Sequence, residues 1–250
     1  MHNKKLQKNI FVGLMVAIGI VLSSVLSISY PPNSTIIRFG IGFLPLIIIS
    51  ITMGPKLGFY AAIIQDLLGY VVYIWIFGFP SGPFFPGFTL NAILYGVVPY
   101  YIYNFNITNK KVFSFLNFGL LLSFLVVAIW GLIKIDWIIT LIENRLSEGQ
   151  AFSPTIIYMI LIIGLLGIIS TLIFIFLKRK ENEKAQKIIF TVMVLQIIVT
   201  LLLTPLWVRI LYGIPFLPQI PLRIIKMPFE IFIYSILLIR VIKVVENKIL

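Results

Sequence analysis

The sequence predicts an all-α integral membrane protein, a helical bundle of about eight spans with both termini in the cytoplasm. Three observations predict it. Of 250 residues, 60% are apolar and 11% are charged. That balance needs hydrocarbon as the main solvent and excludes disorder, coiled coils and ordinary water-soluble domains. The apolar residues gather in nearly charge-free runs of the length that crosses a bilayer core, about 20 residues for about 30 Å. The net charge of +12 is unevenly placed along the chain.

The first run, 9–29, lies between Lys8 and the pair Pro31-Pro32. Lys4, Lys5 and Lys8 ahead of it, with Ser27-Ile28-Ser29 behind, also fit a signal peptide. The run is long for such a segment and no soluble domain follows to be exported, so a retained helix is expected. A second span, 38–53, stops at Gly54-Pro55-Lys56-Leu57-Gly58, whose Gly and Pro mark a tight turn. The third, 57–78, carries a single charge, Asp66. Prolines 80, 83 and 86 exclude a regular helix through Gly78–Gly87. A fourth span at 88–105 precedes Lys110-Lys111.

Runs at 112–133 and 155–177 give the fifth and sixth spans. Between them, Lys134–Ser153 reads as a mixed-charge loop whose stretch Ile135–Leu146 is partly amphipathic and suited to the membrane surface. A seventh span fits 188–205. A proline-rich, kinked piece (Pro205, Pro215, Pro218, Pro221) then leads into the last helix, 222–244. The whole chain, 1–250, reads as one membrane domain.

With the N-terminus inside, 14 of the 20 Lys and Arg residues fall on the cytoplasmic side, as the positive-inside rule requires. The other six are Arg38, Lys134, Arg145, Arg209, Arg223 and Lys226. Lys134 and Arg145 neighbour Asp136, Glu143 and Glu148 in the mixed-charge loop. Arg38, Arg209, Arg223 and Lys226 fall near the outer ends of spans, with Glu230 the one obvious acidic neighbour. Charge in a membrane helix is costly and has a pairing or functional reason. Arg223, Lys226 and Glu230 lie within roughly 60° of one another on one helix face. They form either a local Lys226–Glu230 ion pair with a snorkelling arginine, or a basic wall that receives an anion, joined by Arg38 and Arg209. Guanidinium groups grip carboxylates in two-pronged fashion.

Asp66 lies about 15 Å from the inner end of its helix, near the midplane. It is either a structural hydrogen-bonding group or an acceptor for an N–H-rich ring. Phe84, Phe85, Phe88, Trp207 and Tyr212 fall in the external connections. They suit an interfacial belt or stacking walls for a flat heterocycle. Gly13 and Ala17 form a small-residue face on the first helix, for internal packing or close approach of another helix.

Function classes narrow accordingly. The chain has no Cys and one His, His2, which excludes disulfides, thiolate sites and multi-His metal sites; no cofactor is expected. There is no phosphate-cradling P-loop, and nothing suggests a nucleic-acid partner. An integral membrane enzyme would need an acid/base pair, and the intramembrane acids Asp66 and Glu230 stand on separate helices. A stand-alone secondary transporter using Asp66 as proton carrier lacks the internal repeat many such folds show.

Several segments together resemble the S components of energy-coupling-factor vitamin transporters. They are Arg38-Phe-Gly-Ile-Gly-Phe-Leu-Pro45, Gly54-Pro-Lys-Leu-Gly58, Asp66-Leu-Leu-Gly69, Pro80-Ser-Gly-Pro-Phe-Phe-Pro-Gly-Phe-Thr89, Thr204-Pro-Leu-Trp207, Leu211-Tyr-Gly213, Pro215-Phe-Leu217 and Arg223-Ile-Ile-Lys226. From Asp66 onward they closely resemble the folate-specific branch, and the ordered set covers roughly 9–105 and 188–245. The resemblance implies a multi-pass protein of the bacterial plasma membrane that binds folate, or a related anionic vitamin, from outside. Its partners would be one transmembrane coupling subunit and two cytoplasmic ATPases. Gly13 and Ala17 match the family's docking surface. Asn91 and Arg209 do not match its pattern and enter as substrate contacts on their chemistry alone. Residues 106–187 look like a helical pair added to the usual six helices; a different vitamin is the alternative.

Overall fold

A computed structural model describes residues 2–24, 27–30, 37–78, 83–105, 112–134, 136–137, 140, 154–178, 183–214 and 216–248. Helices dominate these residues: α1 (His2–Ser24), α2 (Leu44–Met53), α3 (Pro55–Phe77), α4 (Pro86–Asn104), α5 (Val112–Ile133), α6 (Pro154–Lys178), α7 (Glu183–Leu195), α8 (Thr204–Tyr212) and α9 (Phe216–Lys248). Short strands β1 (Ile28–Tyr30) and β2 (Ile37–Phe39) pair in a two-stranded ladder. Among the described residues, Leu6–Ser24, Pro55–Phe77 and Glu183–Tyr212 are long and apolar enough to cross a bilayer. Shorter apolar helices occupy Leu44–Met53, Val112–Val126 and Gly164–Phe176.

Three element boundaries correct the sequence expectation. The second helix begins at Leu44 rather than at residue 38, so Arg38 lies on a strand and not at a helix end. The turn after α2 is tighter than five residues. Gly54 alone links the helices, with φ of +96° that a side chain would oppose, and Pro55 already opens α3, where its missing N–H costs nothing. The last helix starts at Phe216, so Pro218 and Pro221 lie in its opening turns instead of preceding it. The amphipathic stretch Ile135–Leu146 falls largely outside the described residues.

The chain divides into two compact units, 1–29 with 38–105 and 237–250, and 30–37 with 106–236. The first is centred on α2. Leu44–Ile51 are buried on every side, as expected of a helix that is apolar all round. Gly58 on α3 meets Gly96 on α4 backbone to backbone, with Ala62 filling the adjacent space. Small residues at helix crossings permit this approach, and dispersion and weak polar contacts then hold the pair without hydrophobic drive. Gln65, also on α3, packs on Gly19 of α1 and donates to the Gly42 carbonyl at 2.8 Å. That contact fixes which side of α1 faces inward.

Pro99 interrupts the hydrogen-bond ladder of α4. One turn of that helix is instead tied to α2, where the Tyr100 N–H donates to Ser50 Oγ at 3.1 Å and Ser50 Oγ donates to the Val97 carbonyl at 3.5 Å. Ser50→Ala is expected to lower stability by about 1 kcal/mol, the net worth of such a bond. Thermal unfolding of the purified protein measures it. In the last turns, Tyr103 Oη donates to Glu246 Oε1 at 2.9 Å.

Polar seams run through the second unit. Asn117 on α5 donates to the backbone and side-chain oxygens of Gln186 on α7, both at 3.0 Å, and Gln186 donates to the Ile175 carbonyl of α6 at 3.3 Å. Lys187 pairs with Glu183 at 3.2 Å and lies 5.7 Å from the centroid of the Phe113 ring. Thr171 on α6 donates to the Pro228 carbonyl of α9 at 3.2 Å.

Candidate functional site

In the second unit, α7 does not end where the helix continues. It widens into a π-helix over Gln196–Leu203 before α8 resumes at Thr204. In this register each N–H bonds five residues back, as the Thr204 N–H does to the Val199 carbonyl. The next donor would come from residue 205, which is a proline without an N–H. The Thr200 carbonyl is thereby released from the ladder, and it accepts from Arg223 Nη1 at 3.4 Å. Inserted π turns of this kind recur at functional sites.

Arg223, Lys226 and Glu230 stand on one face of α9, as their spacing requires. All three are buried, at 5%, 4% and 3% exposure. Arg223 Nη2 donates to Gln219 Oε1 at 3.3 Å. Gln219 in turn donates to the carbonyls of Pro205 at 3.3 Å and Ile214 at 3.2 Å, bridging the α8–α9 connection. That connection turns at Gly213, in the left-handed region with φ of +67°. Lys226 Nζ lies 2.8 Å from Glu230 Oε1, and Gln196 Nε2 donates to Glu230 Oε2 at 3.2 Å. The trio is thus a buried, hydrogen-bonded network that includes the Lys226–Glu230 ion pair. Such a network is stable because each buried charge is hydrogen-bonded.

The remaining residues of this unit that the sequence singled out lie on α8. Trp207 is half-buried, and Arg209 and Tyr212 are exposed. Gln196, Gln219 and Thr200 were not singled out. Two neutral glutamines carry no charge signal, and a released carbonyl is invisible without the π register. The one readable hint was Pro205 inside an apolar run.

In the first unit, Asp66 is half-buried on α3 and its Oδ2 accepts from Thr89 Oγ1 of α4 at 2.6 Å. Around it, one turn along α3, Tyr70 meets Phe84 edge to face with centroids 5.6 Å apart. Phe85 and Phe88 meet similarly at 6.1 Å. Asn91 is buried one turn into α4. Phe84, Phe85 and Phe88 thus stand at the start of α4, the helix whose Thr89 holds the carboxylate, and Phe84 is the most exposed of them. Arg38 lies on β2, and its side chain is outside the described residues.

Gly13 and Ala17 are exposed on α1, where a Cβ on Gly13 would meet nothing within 4 Å. Phe11, Val16 and Ile20 turn inward, while Leu6, Ile10, Leu14, Ile18 and Val21 turn outward alongside Gly13 and Ala17. Among the described residues no group of His, Cys, Asp and Glu is arranged to hold a metal.

The family model described as ECF transporter, substrate-specific component, matches residues 7–177. The Folate transporter FolT of Clostridium novyi (strain NT) is 35% identical over 113 residues, which is 44% of this chain and 58% of that protein. The chain therefore spans under two-thirds of that relative's length. No solved structure gives a significant match.

Proposed function

Because the chain belongs to the family of ECF-transporter substrate-specific components, we propose that it is the subunit that binds folate, or a related anionic vitamin, for an ATP-driven importer. The family is one of transport components and not of enzymes. The observation that carries the reading is the buried Arg223–Lys226 network on α9, backed by partial identity to a folate transporter. Arg223 and Lys226 set two cations against the single carboxylate of Glu230, so the trio carries a net positive charge in low dielectric that suits an anion. A vitamin carboxylate is such an anion, and arginine is suited to its two oxygens.

Vitamin binding would begin at the external side of a multi-pass protein in a bacterial plasma membrane, with both termini cytoplasmic. Arg223, Lys226, Arg209 and Arg38 are assigned to the acidic end of the ligand. Trp207, Tyr212, Phe84, Phe85 and Phe88 are assigned to stacking, and Asp66 and Asn91 to the N–H-rich ring. Gly13 and Ala17 form the docking face for the transmembrane coupling subunit, which works with two ATPases. Residues 106–187 are read as an added helical pair whose α5 and α6 share the core of the second unit.

The test is binding by the isolated full chain. Native mass spectrometry after incubation with folate is expected to show a 1:1 complex. Arg223→Ala, judged folded by size-exclusion profile and circular dichroism, is expected to bind about 30-fold more weakly, the effect of losing one charge-assisted contact of about 2 kcal/mol. A folded protein that binds neither folate nor another anionic vitamin sinks the reading.

A further inference from the structure

Glu230 has no part in the reading above, yet it occupies the cation that a ligand carboxylate would use. Its two oxygens are held by two different elements. Oε1 is on Lys226, one turn earlier on α9, at 2.8 Å. Oε2 accepts from Gln196, the first residue of the π segment, at 3.2 Å. Only the first contact is ionic. A carboxylate that gave up Lys226 would keep the amide donor and would not be stranded in low dielectric. Gln196 is itself 2% exposed, and its Oε1 has no hydrogen-bond partner. An amide satisfied on one side only is where a buried network has room to rearrange.

We propose that Glu230 is an internal stand-in for the ligand's carboxylate, neutralising Lys226 in the empty protein and ceding it to the arriving anion while Gln196 retains Glu230. This rests on the reading that the α9 cations bind an anionic vitamin. The exchange has two consequences. Ligand affinity is held below what the cations alone would give, because a competitor is always present. Selectivity rises, because a neutral analogue gains nothing by entering and cannot displace a charge.

The experiment is calorimetric titration of the full chain in lipid nanodiscs with two probes, folate and its uncharged dimethyl ester. Glu230→Gln is expected to bind folate about tenfold tighter than the wild type, within the range of typical coupling between sites. No gain is expected for the ester, and none for folate when Lys226→Met is already present. The unliganded variant should melt at a lower temperature than wild type, because Lys226 loses its ion pair with Glu230, and should regain more on adding folate. A folded Glu230→Gln protein that binds folate no better than wild type overturns the exchange. So does an equal gain for the ester or in the Lys226→Met background. Should Glu230→Gln fail to fold, Glu230→Asp, one methylene short of Lys226, replaces it. Tighter folate binding than wild type then supports the exchange, and equal or weaker binding overturns it. A wild type that binds neither folate nor another anionic vitamin overturns the vitamin reading, and the exchange with it.

Discussion

Gly58→Leu is expected to yield no folded protein, whereas Gly69→Leu on the same helix is expected to purify like the wild type. The contrast follows from what each glycine faces. A Cβ at Gly58 would overlap the Gly96 carbonyl of α4, and a Cβ at Gly96 would overlap the Gly58 carbonyl in return. Both obstacles are backbone, so no side-chain rotation relieves them. The two helices would have to part along their whole contact, and with them the Ala62 packing and the Ser50 bonds that tie α4 to α2. Overpacking a core commonly costs about 1–3 kcal/mol where side chains can shift. Here backbone must move, so the cost approaches the total of about 5–15 kcal/mol that keeps a domain folded. At Gly69 a Cβ meets nothing within 4 Å, and leucine improves helix propensity. Yield of monodisperse protein after size-exclusion chromatography decides the matter. Equal yields from both variants would show that the α3–α4 crossing is dispensable.

The same crossing shows what was readable in the sequence and what was not. The spans on either side of Gly54 and the helix after Pro86 follow from apolar runs and proline punctuation, which depend on local composition. Gly58 and Ala62, four residues apart, carry the small-residue spacing just as Gly13 and Ala17 do, yet Gly58 reads as the end of a turn and Ala62 as an ordinary position in a span. Spacing says that a face is flat; only the partner's position says whether that face is used inside or outside. The start of α2 departs from the sequence expectation for a related reason. Residues 38–43 are apolar enough for a span, and pairing of β2 with β1 is a tertiary fact that overrides the run. On α9, spacing brought Arg223, Lys226 and Glu230 to one face. Their hydrogen-bond partners Gln196 and Gln219 are neutral side chains that give no signal until the π register and the Gly213 turn bring them in.

Gly13→Leu combined with Ala17→Leu is expected to leave vitamin binding unchanged and to reduce ATP-driven uptake by about 100-fold, equivalent to about 2.8 kcal/mol. Both positions are exposed on α1, and Gly13 has open space where its Cβ would be. The substitutions therefore add atoms outside the fold, and replacing a helical glycine should steady α1 by up to about 1 kcal/mol. A docking partner meets the opposite effect. Small residues allow two helices to approach until their backbones nearly touch, and two leucines hold them apart at overpacking costs of about 1–3 kcal/mol each. Outward aliphatic side chains already flank the pair at Leu14 and Ile18, so the added side chains change shape and not polarity. A lipid-facing surface would tolerate that; a fitted protein surface would not. The measurement is uptake of labelled folate by cells that co-express the coupling subunit and ATPases, paired with retention of those subunits on the tagged variant. Undiminished uptake would remove α1 as the docking face. Lost folate binding in the isolated variant would show instead that this face supports the site itself.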